Sequence, residues 1–243
     1  MNAKKGAVRA VSLARALSKL GYTSRSRAAE LIRSGRVSLN GRIVRNPSAR
    51  CSPGEDRFLV DGSILPRKRI VTVLMNKPEG VVTTRSDERN RPTVYDVLGD
   101  EGRWLFPVGR LDKDTSGMLL LTNDNRLGER LTNPRSKIPK TYRVSLDRPP
   151  SDTDLEMFEK GMSINGEKLL PAAVSRESGT ILELTILEGK NRQIRRMCEQ
   201  LGYAIVSLMR VKMGGLGLGA LKKGEWRYLT AREVELLSRP AQE

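Results

Sequence analysis

The densest run of potentially reactive side chains is Gly109-Arg110-Leu111-Asp112-Lys113-Asp114-Thr115-Ser116-Gly117, which leads straight into Met118-Leu119-Leu120-Leu121. A charged turn feeding an apolar strand sets Asp112 at the edge of a core, where burial and a nearby cation can tune a carboxylate. Taken alone, the same run equally suits a solvated turn whose aspartates accept backbone N–H groups. A second cluster, Leu187 to Met197, carries Lys190, Arg192, Arg195 and Arg196 at a strand-to-helix junction. That placement suits an anion site, or simply an exposed basic helix face. In Lys140-Thr141-Tyr142-Arg143 an alternating strand presents Tyr142 on one face, and an aromatic beside cations suits base stacking. Tyr142 could as well be packed.

Several chemistries are excluded. The chain has no histidine, which removes Ser-His-Asp and Cys-His hydrolysis, zinc deamination and most transition-metal sites. Asp112-x-Asp114-x-Ser116-Gly117 imitates the start of a calcium loop, but its twelfth position is Asn123, where a bidentate Glu is required. Cys51 and Cys198 are too few for a disulfide framework or a zinc site. Carboxylates, Lys, Arg, Tyr and backbone groups must carry any reaction, and neither a metal nor a cofactor is expected.

The elements that position these residues fall into two parts. In the first, residues 1–10 read as a flexible basic arm. Val11, Ala14, Leu17 and Leu20 recur at helical spacing up to Gly21. Thr23 or Ser24 caps a second helix with Ala28, Leu31 and Ile32 as its stripe, ended by Gly35. Val37 and Leu39 alternate into Asn40-Gly41, a hairpin signal followed by Ile43 and Val44. Phe58 and Val60 lead to a second turn at Asp61-Gly62. Residues 63–69 read as a linker, and residues 70–243 as the larger domain. Strands are expected at Ile70–Met75, Met118–Thr122, Lys140–Leu146 and Ile181–Leu187, and helices at Asp152–Lys160, Arg192–Leu201 and Ala231–Leu237. The class is α+β with a mixed, largely antiparallel sheet.

Charge separates the same two parts. Residues 1–70 hold 16 Lys and Arg against 4 Asp and Glu, or +12; the rest holds 28 against 24, or +4. A basic first third on a nearly balanced body points to a polyanion. Arg25, Arg27, Arg33, Arg36 and Asn40 are candidates for contacting it, as are Lys190, Arg192 and Arg196. Membrane binding is disfavoured, because no amphipathic face bears Trp, Phe or Leu and no apolar run approaches the roughly 18 residues of a span. The N-terminus shows no secretory signal, so the cytoplasm is expected.

The three reactive segments, in this order, resemble the ribosomal RNA pseudouridine synthases of the RsuA type, a group that includes large-subunit enzymes. The resemblance covers nearly the whole chain. Residues 11–62 look like the alpha-L RNA-binding domain, above all Ser24–Ile32 and Gly35–Gly41. Asn76-Lys77-Pro78-Glu79-Gly80, Arg91-Pro92-Thr93 and Gly224-Glu225-Trp226-Arg227 also resemble family segments. Met118, Asn125 and Gly215 depart from the pattern without touching the reactive residues.

The resemblance implies the mixed-sheet fold of these enzymes and isomerisation of a uridine without a cofactor. It implies that Asp112 is the catalytic aspartate, supported by Arg110, with Tyr142 as the active-site aromatic and Arg195 as the cation paired with Asp112. Asp112 would act at the ribose or at the base. The expected partner is ribosomal RNA, as a loop or an assembly intermediate, with the large subunit favoured and the enzyme a monomer. The competing reading is a non-catalytic RNA-binding or assembly factor. It shares the charge and the N-terminal domain but has no need of the Asp112, Tyr142, Arg195 set. A DNA-binding regulator is disfavoured, since nothing resembles a dimeric recognition-helix arrangement.

Overall fold

The computed structural model describes residues 10–65 and 70–238. The expected basic arm, apart from Ala10, and residues 66–69 of the expected linker lie outside them. The chain divides into two compact units between Arg69 and Ile70.

The first unit runs β1 (Val11–Ser12), α1 (Leu13–Lys19), α2 (Arg25–Arg33), β2 (Val37–Leu39), β3 (Arg42–Ile43), β4 (Arg50–Cys51), β5 (Phe58–Val60) and β6 (Ser63–Ile64). The first helix begins at Leu13 rather than Val11, because Val11 pairs across β1 with Cys51, forty residues on. Its buried face is accordingly Leu13, Ala16 and Leu17. The second helix follows expectation: Ser24 Oγ accepts the Arg27 N–H, and Ala28, Leu31 and Ile32 are buried. At Asn40-Gly41 both residues have positive φ, 53° and 84°, as a type I′ hairpin demands. Asp61-Gly62 makes a second such turn, and β6 pairs back onto β5 through Leu59↔Ile64 and Val60↔Ser63. The expected linker therefore starts too early. A tight turn needs a returning strand, and Ser63 and Ile64 supply it.

The second unit is built on a nine-stranded sheet. Its elements are β7 (Thr72–Lys77), α3 (Val94–Leu98), β8 (Phe106–Pro107), β9 (Ser116–Thr122), α4 (Asn125–Thr132), β10 (Lys140–Leu146), α5 (Asp152–Lys160), β11 (Ser163–Ile164), β12 (Glu167–Lys168), β13 (Ala173–Ser178), β14 (Ile181–Ile186), α6 (Gln193–Gln200), β15 (Ile205–Met213), β16 (Leu216–Gly217), β17 (Trp226–Tyr228) and α7 (Ala231–Leu236). The sheet order is β13-β14-β10-β15-β9-β7-β17, with β8 on β9 and β16 on β15. β11 and β12 form a separate hairpin. Every pair in the sheet is antiparallel except β15 with β9, so it is mixed and largely antiparallel.

Both faces of the sheet are covered. In β9, Leu119 and Leu121 join one apolar cluster while Met118 and Leu120 join another. A strand buried on both sides reads as an unbroken apolar run, as this one does. The expected strand at Ile70–Met75 lies two residues later, because pairing with β9 carries β7 to Lys77 and leaves Ile70 exposed.

Candidate active site

Three central strands converge on one cavity of about 420 Å³, lined by Arg110, Leu111, Asp112, Thr115, Lys140, Tyr142, the loop 189–192, Arg195 and Arg210 among others. That volume lies in the range of small-ligand pockets.

Asp112 sits in the turn just before β9, with 38 % of its side-chain surface exposed. The turn is held from four directions. Thr115 N–H closes it onto the Asp112 carbonyl at 3.1 Å, and Gly80 N–H donates to the Lys113 carbonyl at 2.9 Å. Thr83 Oγ1 donates to the Leu111 carbonyl at 2.9 Å. Beneath lies Lys77, fully buried, whose Nζ donates to the carbonyls of Val81 (2.7 Å), Pro78 (2.9 Å) and Lys113 (3.3 Å). Burial pulls the Lys77 ammonium down to about 8, against the opposing pull of Asp114, Glu79 and Asp112. It is a buried cation satisfied by carbonyls, and it ties the Lys77–Val81 segment to the Asp112 turn.

Gly117 explains why the turn ends as it does. It opposes Arg210 in the one parallel ladder, at φ 98°, and a Cβ there would lie 2.3 Å from the Arg210 carbonyl. Only glycine lets β9 and β15 approach this closely.

The opposite rim is the loop into α6. Buried Glu188 accepts Gln193 Nε2 at 2.9 Å and the Leu170 N–H at 2.9 Å, while Gln193 Oε1 accepts the Lys190 N–H. Arg192 caps the helix in a left-handed conformation, φ 48°, which is uncommon outside glycine and asparagine. From there its guanidinium reaches to 4.0 Å of the Asp112 carboxylate.

The cation near Asp112 is thus Arg192, and the expected pairing with Arg195 is not made. Arg195 Nη2 donates to the Asp114 carbonyl at 2.8 Å and lies 3.4 Å from Thr115 Oγ1. The helix spacing explains this: starting α6 at Gln193 sets Arg195 under the turn and leaves Arg192 before it. Tyr142, 8 % exposed, lines the cavity from β10 and also packs in the core. Arg110 is exposed on the rim.

The remaining candidates divide. Lys190 lines the cavity, held by the Lys168 carbonyl and Glu167. Arg196 is turned away from it, ion-paired with Glu167 at 2.8 Å. In the first unit Arg25 and Arg33 are exposed. Arg27 is paired with Glu30 at 2.7 Å, and Arg36 grips Asp61 through two bonds, at 2.7 and 2.5 Å. Asn40 is a turn residue, not a free contact: its side chain donates to Asp56 and accepts the Arg57 N–H. Two cations of the cavity were not among the residues expected to form the site: Lys140, read only as a neighbour of Tyr142, and Arg210. The alternation that singled out Tyr142 also puts Lys140 on its face; Arg210 carried no local signal.

This fold and site define a pseudouridine synthase. Residues 71–200 match the RNA pseudouridylate synthase family and residues 11–56 the S4 domain. The chain belongs to the RNA pseudouridylate synthase family, and it is an isomerase. It is 36 % identical over 231 residues to the ribosomal large subunit pseudouridine synthase B of Bacillus subtilis (strain 168), covering 93 % of this chain and 94 % of that protein. It is 39 % identical over 216 residues to the ribosomal small subunit pseudouridine synthase A of Escherichia coli (strain K12), covering 87 % and 93 %. A solved structure described as a crystal structure of pseudouridylate synthase is similar at TM-score 0.68 and 33 % identity, covering 93 % and 99 %. Among the described residues no helix is long and apolar enough to cross a membrane.

Proposed function

We propose that this enzyme converts one uridine of large-subunit ribosomal RNA to pseudouridine, with Asp112 as its nucleophile. The observation that carries the chemistry is the cavity itself. A single carboxylate, Asp112, lines it together with Tyr142 and with Arg110, Lys190, Arg192 and Arg195. A flipped-out uracil enters against Tyr142, and the cations hold the flanking phosphates. Flipping costs a few kcal/mol, least in loops and single strands, so a loop or an assembly intermediate is the substrate. Asp112 then adds to the ribose or to the base, which is competent carboxylate chemistry. The base turns and rejoins the sugar through carbon five, with no change of oxidation state.

The first unit supplies affinity through Arg25 and Arg33, with Arg27 and Arg36 in reserve behind their carboxylates. The longer match, 231 residues, is to the large-subunit relative, which supports that subunit. The higher identity, 39 %, is to the small-subunit relative and carries the competing reading. The proposal also has the enzyme working as a monomer in the cytoplasm. Mapping pseudouridines in both ribosomal RNAs from a deletion strain tests the assignment. One missing site in large-subunit RNA, restored by the purified enzyme, is the expected result; a missing small-subunit site would transfer the substrate.

A further inference from the structure

The floor of the cavity holds two cations that the steps above do not use. Arg210, on β15, is 3 % exposed and stands directly across from Tyr142 in the β10/β15 ladder. Its Nε donates to the Met118 carbonyl at 2.7 Å, which completes the short parallel ladder, but its Nη2 is buried without a partner among the described residues. Lys140 lies two residues before Tyr142 on β10, half-buried, and among the described residues its Nζ donates only to the Ile138 carbonyl, at 3.0 Å. Neither makes an ion pair with a described carboxylate. The other charged groups around the cavity are Arg110, Lys190, Arg192, Arg195 and the lone acid Asp112.

Burying cations beside each other costs several kcal/mol per ion unless negative charge arrives to meet them. In this site two sources offer it, a backbone phosphate or the base. Depth separates them. The phosphates of a flipped nucleotide stay with the strand at the exposed rim, while the base leads into the interior.

We propose that Lys140 and Arg210 form an anion-stabilising floor that receives the charge developing on the uracil carbonyl oxygens as the glycosidic bond breaks. The inference rests on the proposed function and deepens it. On the sugar route, an Asp112 oxygen bonds to C1′ as the C1′–N1 bond breaks, and that bond's electron pair stays on the uracil. The charge spreads from N1 to the two oxygens, where the floor meets it. Carbon five then bonds to C1′ and the Asp112 carboxylate departs with its pair. The proton on carbon five is lost to solvent and N1 gains one, so the product is an isomer. Such donors act mainly on the transition state, because the neutral base asks little of them.

Burial, and then the charge of Arg210, pulls the Lys140 ammonium down to about 8. The floor should therefore lose half its charge within an accessible pH range.

The test is single-turnover pseudouridine formation, with RNA affinity measured in parallel, on ribosomal RNA from the deletion strain. Lys140→Met should slow the chemical step by about 10²-fold while leaving the dissociation constant within about threefold. Lys140→Arg should restore most of the rate. The wild-type rate should fall above pH about 8, and Lys140→Arg should lack that fall because a guanidinium keeps its proton. This comparison of wild type with Lys140→Arg decides the matter even if Lys140→Met fails to fold by circular dichroism. A chemical step unchanged in folded Lys140→Met, or an alkaline fall retained in Lys140→Arg, overturns the proposal. Weakened RNA binding at an unchanged chemical rate overturns it too, by making the floor a phosphate seat. Wild-type enzyme that forms no pseudouridine in either ribosomal RNA instead overturns the substrate reading on which this one rests.

Discussion

Asp112 keeps 38 % of its side-chain surface and lies 4.0 Å from Arg192, whereas Asp114 offers its backbone carbonyl, not its carboxylate, to Arg195. Asp112 also lines the cavity, and Asp114 does not. Asp112→Asn keeps the shape and removes the charge that the proposed function makes the nucleophile. It should lower single-turnover isomerisation by about 10³-fold or more while RNA affinity holds. Asp114→Asn leaves the carbonyl in place and should stay within about tenfold of wild type. Folded Asp112→Asn with robust turnover would sink the nucleophile assignment. Arg195→Met separates support from charge: it frees the Asp114 carbonyl and should loosen the turn, whereas Arg192→Met should spare the fold and act on the Asp112 electrostatics. Lower thermal stability in the first variant and not in the second is the expected pattern. At this scale the sequence displayed the motif but not its wiring. Which guanidinium meets Asp112 depends on a left-handed Arg192 and on a buried Glu188–Gln193 bond, and neither leaves a local trace.

Elements bring these residues together through one close approach. Gly117 sits where β9 and β15 run parallel, and the added Cβ of Gly117→Ala would strike the Arg210 carbonyl at 2.3 Å. Neither atom is the end of a flexible side chain, so the strands must part. The positive φ adds its own strain. The variant should lose about 2–4 kcal/mol in chemical denaturation, from overpacking and backbone strain together. Its catalytic rate should fall further than unfolding accounts for, because the Asp112 turn begins beside the displaced backbone. A variant as stable as wild type would show that β9 and β15 are not pinned there.

Much at this scale was written locally. β10 and α5 match their expected bounds, and Asn40-Gly41 and Asp61-Gly62 turn where their permissive φ values allow. What escaped was decided by distant partners. β15, nine residues long and central, joins β10 to β9, yet its stretch Ile205–Met213 mixes Ser, Arg and Lys into an apolar run. Its edges facing two other strands make it a strand; its own alternation does not. The β1 pairing of Val11 with Cys51 failed to show for the same reason.

For the whole molecule the question is where affinity for RNA resides. The first unit has its own apolar core, from Val11 to Val60, and the second has two of its own. Each therefore holds the means of folding that a domain needs. The charge is uneven, +12 in residues 1–70 against +4 in the rest. Each phosphate neutralised on a single strand adds roughly 0.7 to the slope of log affinity against log salt. Removing residues 1–69 should weaken binding to ribosomal RNA and lower that slope by about 3. Circular dichroism should show the remainder folded. The structure also ranks the individual cations. Arg33 is exposed and makes no ion pair among the described residues, so Arg33→Ala should cost close to one contact's share of the slope. Arg36 already spends its fork on Asp61, and Arg36→Ala frees that carboxylate as it removes a cation. If Arg36 keeps its pair on RNA, it contributes no phosphate contact, and the slope should barely change. An Arg36→Ala slope that falls as far as that of Arg33→Ala would mean the pair opens on RNA. A truncated enzyme with unchanged affinity and slope would mean the second unit binds RNA alone.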